Sequence, residues 1–463
     1  MIIYLKRIGF IGLFLVVLAA SSHGYTKQNI DMLALSKNIL IGTEEQRQAA
    51  VETLIARDNT DMVPSLVLLM RIGGEHVATQ RALRALTNER LTTWRDAMNY
   101  QQLHPEIVPH ASYYDLKRWY WQGIDANFLD FFKDTHNRDS MRIRFEEIVW
   151  GGALVDSIPA LDNPTLIAAQ QADYLLDTDL VFGVQINGDV RAYPLRIMGW
   201  HEMVNDVIGG EALSLAYCTL CGTGILFETQ LDGRKEPFVF GSSGLLYRSN
   251  KLMFDRQTKS LWNQFTGEPV VGLLAHSGIA LKIRPMVITT WGDWLADNPN
   301  TKVLSLETGF IKNYDSGVTY KEYFASPELM FPAVTDQSRL RQKDYVFGVR
   351  VVRGAKAWPL NAFVKEPVIN DKVGATNVVL IGDSSKRSVR AYERGEFVFS
   401  ASKLGLTGSK LGIKGSNQDW QISEAALIGP NQEKLPRLPG HIAYWFAWDG
   451  YLGSKSELYQ ASE

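Results

Sequence analysis

Two cysteines in a Cys-x-x-Cys arrangement, Cys218 and Cys221, have the clearest chemical potential in this 463-residue chain, which contains no other cysteine. A pair at this spacing can bind a metal ion, exchange electrons with other thiols, or form a local disulfide. His201 lies upstream and could supply a third ligand. Two thiolates and an imidazole with one open coordination position are typical of a catalytic zinc site. Soft thiolates also suit Cu(I), for which Met253 could be an extra ligand.

The sequence around the pair predicts a hairpin turn rather than the start of a helix. A strand-like run, LSLAY at 213–217, enters the motif, and GILFET at 224–229 leaves it. Gly222 and Gly224 disfavour a helix at this point. A thioredoxin-type motif needs a helix N-terminus to lower the thiol pKa, so the pair does not follow that pattern. Backbone amides in such a turn suit a bound metal, so a Zn or Cu site is the leading expectation. A redox-active dithiol and a structural disulfide remain the alternatives.

A second group of polar residues could form another wall of the same site. Asp255 could orient His201, as carboxylates behind metal-bound histidines do, and Arg256 could bind an anionic substrate through two hydrogen bonds. The alternative is that Asp255 and Arg256 simply close a hairpin turn. Tyr247 and Glu202 complete the candidate catalytic set, and the sequence leaves open whether the protein is an enzyme.

Composition and charge exclude several other classes of protein. The chain has 48 Lys and Arg against 50 Asp and Glu, so it offers no net positive charge to a nucleic acid. Hydrophobic residues make up 46% and charged residues 21%, which is typical of globular domains. Neither a Walker A loop nor a dinucleotide fingerprint occurs, so no nucleotide cofactor is expected.

The first 24 residues predict a signal peptide. Lys6 and Arg7 precede an apolar run at 8–20, and small residues follow at a plausible cleavage region. The run is shorter than the roughly 20 residues that span a bilayer, so we expect no stable membrane span after its removal. An uncleaved anchor is the alternative. We therefore expect a periplasmic or secreted protein.

The remaining sequence predicts an α+β protein with an N-terminal all-α part. Apolar residues recur at helical spacing from about residue 44 to 90, which favours a HEAT-like helical module at 25–105, a possible surface for a protein partner. An aromatic-rich helical connector is expected at 106–164. Short β-branched runs then indicate a β-rich domain.

The β-rich part reads as two copies, at 165–325 and 326–463. Three segments of the first copy return in the second, each shifted by 165 positions: VFGV, the Tyr/Trp-Pro-Leu stretch and Asn-Asp. Residues shared by the copies, such as Asn205 and Asn370, are expected to be structural. Cys218 and Cys221 instead align with Asp383 and Lys386, and His201 aligns with Glu366. Copy 1 is therefore expected to carry the chemistry, and copy 2 to be its structural partner.

Several of these segments resemble a known family. The runs VFGVQINGDVRAYPLRIMGWHEMVND, AYCTLCGTGILFE and FGSSGLLYRSNKLMFDRQTKSLWNQFTGEPV resemble the bacterial domain-of-unknown-function 3179 family over roughly residues 150–455. Thr219 stands where that family usually has Pro. The resemblance implies an exported bacterial protein, often with additional N-terminal modules, and supports the site residues as a set without implying an activity.

Overall fold

The structure is a computed structural model that describes residues 31–133, 135, 138–403, 410–413 and 418–460. The predicted signal peptide at 1–24 lies outside the described residues. Described residues from 32 to 132 are mainly helical, as the sequence predicts. The helices here are α1 (Met32–Ile41), α2 (Glu44–Arg57), α3 (Val63–Gly73), α4 (Val77–Thr87), α5 (Trp94–Leu103) and α6 (Ser112–Ile124).

Local sequence explains where these helices begin. Thr43 and Gln46 form a capping box at α2, each side chain bonding the other residue's backbone. Pro64 lies in the first turn of α3, where its missing N–H is not needed. The apolar faces of the helices pack on one another in a core of their own. Their assignment to HEAT-type repeats stays a prediction.

The described residues after 147 are rich in strands, which confirms the α+β class. In chain order, the strands are β1 (Ile148–Trp150), β2 (Leu161–Asp162), β3 (Leu166–Ala168), β4 (Leu180–Ile186), β5 (Asp189–Pro194), β6 (Met203–Ile208), β7 (Glu211–Cys218), β8 (Thr223–Glu228), β9 (Phe240–Tyr247), β10 (Asn250–Asp255), β11 (Leu261–Asn263), β12 (Glu268–Val271), β13 (Ile283–Arg284), β14 (Val287–Thr290), β15 (Lys302–Leu304), β16 (Tyr345–Val351), β17 (Gly354–Pro359), β18 (Val368–Val373), β19 (Thr376–Asp383), β20 (Ser388–Glu393), β21 (Phe399–Lys403), β22 (Lys410–Ile413), β23 (Asp419–Ile422), β24 (Ala426–Ile428), β25 (Lys434–Leu438), β26 (Gly440–Tyr444) and β27 (Glu457–Leu458). Short helices separate some of them: α7 (Leu195–His201), α8 (Trp291–Asp297), α9 (Lys321–Ala325), α10 (Ala362–Lys365) and α11 (Trp445–Leu452).

Within the described residues these strands form five sheets. Their orders are β1-β9-β10-β11-β12, β13-β8-β7-β6-β2, β14-β4-β5-β15-β3, β26-β16-β17-β27 and β18-β19-β20-β25-β24-β23-β22-β21. Strands β1 and β2 both fall inside the segment 106–164, which the sequence predicts as a helical connector. Strand β1 pairs with β9 and β2 with β6, so the connector joins the helices to the edges of two sheets.

The two halves of the β-rich region repeat the same hairpins in the same register. Strands β6, β7 and β8 correspond to β18, β19 and β20, with every boundary shifted by 165 residues. Cys218 pairs with Thr223 at the tip of the first β-meander, and Asp383 pairs with Ser388 at the tip of the second. The internal repeat seen in the sequence is therefore also a repeat of strand pairing.

Side chains shared by the copies make the same hydrogen bonds in each. The Asn205 amide donates to the Phe240 carbonyl oxygen at 2.9 Å and accepts from the Phe240 N–H at 2.9 Å. Asn370 does the same with Phe399, at 2.7 and 2.9 Å. Each amide thereby joins two strands of its copy, which confirms the structural role expected for these asparagines.

Residues 305–344, which we name the connecting segment, link the last strand of copy 1 (β15) to the first strand of copy 2 (β16) and lie against the other strands of copy 1. Tyr314 and Tyr323 of this segment reach copy 1, where they bond His201 and the Leu220 carbonyl oxygen. Farther along, its backbone accepts a hydrogen bond from the helical region, Arg95 to the Leu329 oxygen at 2.8 Å. The connecting segment thus touches both the helices and the turn that holds the cysteines.

Among the described helices, none combines the length and the apolar character needed to cross a membrane.

Candidate functional site

Cys218 and Cys221 form a disulfide across the turn between β7 and β8. The predicted hairpin is confirmed, because β7 and β8 pair antiparallel up to Cys218 and Thr223. The turn is closed by Cys221 N–H donating to the Cys218 oxygen at 3.2 Å. Both cysteines are buried, with 2% and 0% of their surfaces exposed, so the bond lies in the protein interior rather than on a surface loop.

Copy 2 and the connecting segment cover the Cys221 side of this turn. The Tyr444 N–H donates to the Cys221 oxygen at 2.8 Å, and the Tyr323 hydroxyl donates to the Leu220 oxygen at 2.7 Å. Gly222 has a φ of 61°, and a Cβ there would lie 3.0 Å from the ring of Tyr345. Glycine suits this left-handed backbone, and the close approach of copy 2 leaves little room for a side chain.

Copy 2 builds the same turn without cysteines. Arg387 has a φ of 53° at the position that corresponds to Gly222, so the left-handed backbone is kept. Here the Asp383 carboxylate closes the turn by accepting from the Ser385 N–H at 2.9 Å and the Ser385 hydroxyl at 2.6 Å. The backbone path at the tip of the hairpin is therefore a property of the repeated fold and does not depend on a disulfide.

On its other side, Cys218 borders a cavity of about 40 Å³ that has charged walls. The Lys251 ammonium bonds Glu202 Oε2 at 2.9 Å, and the Thr219 hydroxyl donates to Glu202 Oε1 at 2.9 Å. Only 4% of the Lys251 side chain and 8% of the Glu202 side chain are exposed. Burial lowers the pKa of Lys251 below its ordinary value, although the Glu202 carboxylate opposes this. The volume accommodates a water molecule or the tip of a thin side chain.

Local backbone features aim these groups into the cavity. Glu202 follows the end of α7 with a left-handed φ of 57°, which separates its direction from that of His201. In β10, a register shift between Lys251 and Met253 marks a β-bulge, and both side chains are buried. Bulges are a common means of redirecting a side chain from a strand.

Both ring nitrogens of His201 are engaged by groups other than the cysteines. Nδ1 is 2.8 Å from the Pro159 carbonyl oxygen, which can only accept, so Nδ1 carries the proton and donates. Nε2 then accepts from the Tyr314 hydroxyl at 2.6 Å, and that hydroxyl is 2.6 Å from Thr308 Oγ1. The geometry is that of a neutral interior histidine with both ring nitrogens satisfied.

His201 should make the stability of the protein depend on pH. Burial lowers its pKa below the ordinary 6.5, and the Pro159 carbonyl only partly opposes this. Below pH 6.5 the unfolded chain binds a proton that the folded protein resists, so this contribution is complete above pH 6.5 and is lost as the pH falls. Comparing urea unfolding of wild type and His201→Asn from pH 7 to 5, we expect the wild-type curve to be steeper by up to about 1.4 kcal/mol per pH unit. Parallel curves would contradict this.

The predicted metal ligands are not brought together as a set. Within the described ranges, no group of three or more His, Cys, Asp or Glu residues is placed to hold a metal ion. Met253 is fully buried in an apolar cluster with Phe227 and Trp262. Metal binding through Cys218, Cys221 and His201 stays a prediction, and it requires the imidazole to leave its present hydrogen bonds.

The other candidate residues have structural partners. Asp255 accepts from the Thr258 N–H at 2.6 Å and from the Trp262 indole at 2.8 Å, so it closes the β10–β11 hairpin instead of facing His201. Arg256 pairs with Asp162 at 2.6 Å and with Asp156 at 3.4 Å. Asp255 thus fits the alternative of a residue that closes the hairpin turn, whereas Arg256 bonds residues outside that turn.

Tyr247 is also held by packing. Its ring lies 6.0 Å from that of Tyr451, and the Arg248 guanidinium lies 5.2 Å above it. Burial raises the pKa of the Tyr247 hydroxyl well above its ordinary value, which keeps it protonated. Tyr247 lies at the end of β9, at the boundary of the two copies.

Four partners in the site have only weak sequence signals or none. Lys251 has a weak signal, as a charged residue directly before the apolar run from Leu252 to Phe254. Nothing local marks Thr219 as the donor to Glu202; it stands where a proline, which has no hydroxyl, is usual in the resembling family. Tyr314 and Tyr323 lie about a hundred residues from their partners, so only the tertiary fold reveals them.

Fold and site together define an α+β protein in which a duplicated β-rich unit buries a Cys-x-x-Cys disulfide in one copy only. The chain belongs to the family described as protein of unknown function (DUF3179), whose family model matches residues 155–455. Comparison with curated proteins and with solved structures gives no match.

Proposed function

We propose that the chain is a thiol–disulfide redox protein whose reactive pair is Cys218 and Cys221. The observation that carries the proposal is the turn of copy 2, which has Asp383 in place of a cysteine. That turn keeps the same register and a left-handed residue at the same position. A disulfide that the repeated turn does not need, and that borders a cavity with charged walls, is better explained by exchange chemistry than by a structural role.

The partner in such exchange is a dithiol or a disulfide of another molecule. The predicted signal peptide supports export to an oxidising compartment, where thiol–disulfide chemistry is common. Access to the bond is narrow, because Cys221 is sealed by copy 2 and only Cys218 borders the cavity. The sulfur of Cys218 is therefore the one that a partner meets first.

The reduction potential of the pair tests this proposal. Full-length protein is equilibrated in glutathione buffers of graded potential, quenched with acid and an alkylating reagent, and analysed by mass spectrometry for the dithiol form. A midpoint above about −300 mV supports exchange, and a lower value identifies a structural disulfide. Cys218→Ser serves as the control, because it has a single thiol and should show no two-electron transition.

Elemental analysis separates this proposal from the metal site that the sequence first favours. Protein isolated under reducing conditions is expected to carry no stoichiometric Zn or Cu. One equivalent of metal that is lost in both Cys218→Ser and His201→Asn would instead favour a metal-binding function.

A further inference from the structure

A buried ion pair lines the same cavity as Cys218. The contribution of this ion pair to the stability of the fold does not explain why it is present. Lys251 and Glu202 are almost completely buried, and their contact is 2.9 Å. Removing two charges from water costs so much that apolar residues of similar size often serve a fold as well or better. The position of this pair beside a reactive sulfur therefore points to a role in chemistry.

The surroundings of the two sulfurs differ in charge. Cys218 lines the cavity together with Lys251 and Glu202. The sulfur of Cys221 lies 3.9 Å from the Ser249 carbonyl oxygen, at the tip of the β9–β10 hairpin. An ammonium group stabilises negative charge on a nearby sulfur, whereas a carbonyl oxygen favours the protonated thiol. Cys218 is thus the sulfur suited to carry negative charge.

Other charged and titratable groups act on the pair from neighbouring elements. Asp156, in the loop after β1, favours the charged form of Lys251. The Tyr320 hydroxyl of the connecting segment is 3.5 Å from Glu202 Oε1. Glu202 nevertheless makes the direct contact with Lys251, so it determines where the ammonium group lies.

We propose that Lys251 stabilises negative charge on the Cys218 sulfur during thiol–disulfide exchange, and that Glu202 acts as a positioning residue for Lys251. This inference rests on the proposed function. It assigns Cys218 as the nucleophile of the reduced protein and Cys221 as the resolving thiol.

The exchange step balances as follows for a partner that carries a disulfide. The Cys218 thiolate bonds one partner sulfur, the partner S–S bond breaks, and the other partner sulfur leaves as a thiolate. Cys221 gives its proton to that thiolate, attacks the Cys218 sulfur and releases the second partner sulfur as a thiolate. Two electrons pass to the partner, which becomes a dithiol in place of its disulfide, and the pair in this chain is oxidised.

Opposite changes in reduction potential test the inference. Removing the cation with Lys251→Met destabilises the reduced form, so we expect the equilibrium constant for reduction by glutathione to fall about tenfold, a potential about 30 mV more negative. Glu202→Gln leaves the ammonium unopposed and should shift the potential in the positive direction. Lys251→Arg keeps the charge and should restore a potential near that of wild type.

Glu424→Gln is the matched control, because it disturbs a largely desolvated ion pair in copy 2 that does not line the cavity. It should leave the potential unchanged. If Lys251→Met does not fold, Lys251→Gln removes the charge while keeping a hydrogen-bond donor for Glu202. Equal potentials in all variants, or changes of the same sign for Lys251→Met and Glu202→Gln, overturn the inference. A wild-type midpoint below about −300 mV overturns the proposed function itself, which is a distinct outcome.

Discussion

Replacing Cys218 with Ser and Cys221 with Ala is expected to abolish thiol–disulfide exchange completely while leaving the protein folded. The disulfide closes a loop of only four residues, so its loss should lower the free energy of unfolding by about 2 kcal/mol. Copy 2 forms the corresponding turn from Asp383 and the left-handed Arg387, which is why we expect the strands on either side to keep their register.

Urea unfolding and turnover of a partner disulfide measure the two effects separately. Asp383→Ala is the matched variant in copy 2, since it removes the carboxylate that closes the equivalent turn, and it should cost about 1 kcal/mol without changing exchange. A double cysteine variant that no longer unfolds cooperatively would identify the disulfide as structural. Retained exchange would place the redox chemistry elsewhere.

Glu424→Ala is expected to cause the largest loss of stability, about 3–5 kcal/mol. Glu424 is a carboxylate with 11% of its side chain exposed that lies between two guanidinium groups, bonding Arg390 at 2.6 Å and also bonding Arg437. Arg437 donates in turn to the Met286 carbonyl oxygen at 2.9 Å, which links copy 2 to copy 1. Without the carboxylate, one buried and one half-buried cation are left unpaired near the boundary of the copies.

Denaturant unfolding at pH 7 measures this loss. Glu52→Ala is a suitable control, because Glu52 pairs with Arg81 on an exposed helical surface and its removal should change stability by less than about 0.5 kcal/mol.

Burial opposes ionisation of Glu424, but Arg390 and Arg437 prevail and hold its pKa below the ordinary 4.5. Its contribution is therefore present above about pH 4.5 and is lost as the pH falls further, so wild type and variant should converge in acid. Equal stabilities at pH 7 would contradict the assignment.

Much of the fold could be predicted from the sequence because its signals are local or repeated. Helical periodicity marked the N-terminal helices, and the glycines after Cys221 predicted a hairpin. The shift of 165 positions predicted which strands would share a register, since residues that recur at a fixed spacing occupy equivalent places in a repeated fold. The strand β1 was missed because three residues in an aromatic-rich segment carry no clear alternation.

The site was predicted only in part, because proximity along the chain does not determine direction in space. His201 and Glu202 are adjacent, yet the left-handed backbone at Glu202 sends one side chain towards Pro159 and the other towards Lys251. The expectation that Asp255 supports His201 failed for a similar reason, as a carboxylate at a strand end finds its nearest donors in its own hairpin. Such choices depend on contacts that form only in the folded chain.

The hydrogen bond from Tyr444 to the Cys221 oxygen has a consequence for biosynthesis. A ribosome making roughly 5–20 residues per second needs about 10–45 s to proceed from Cys221 to Tyr444. In that interval the first copy has both its cysteines but lacks the strand that seals them. If the chain is exported while it is synthesised, oxidants can reach the two thiols during this interval far more easily than in the finished protein, and the order of synthesis then gives a time window for making the bond.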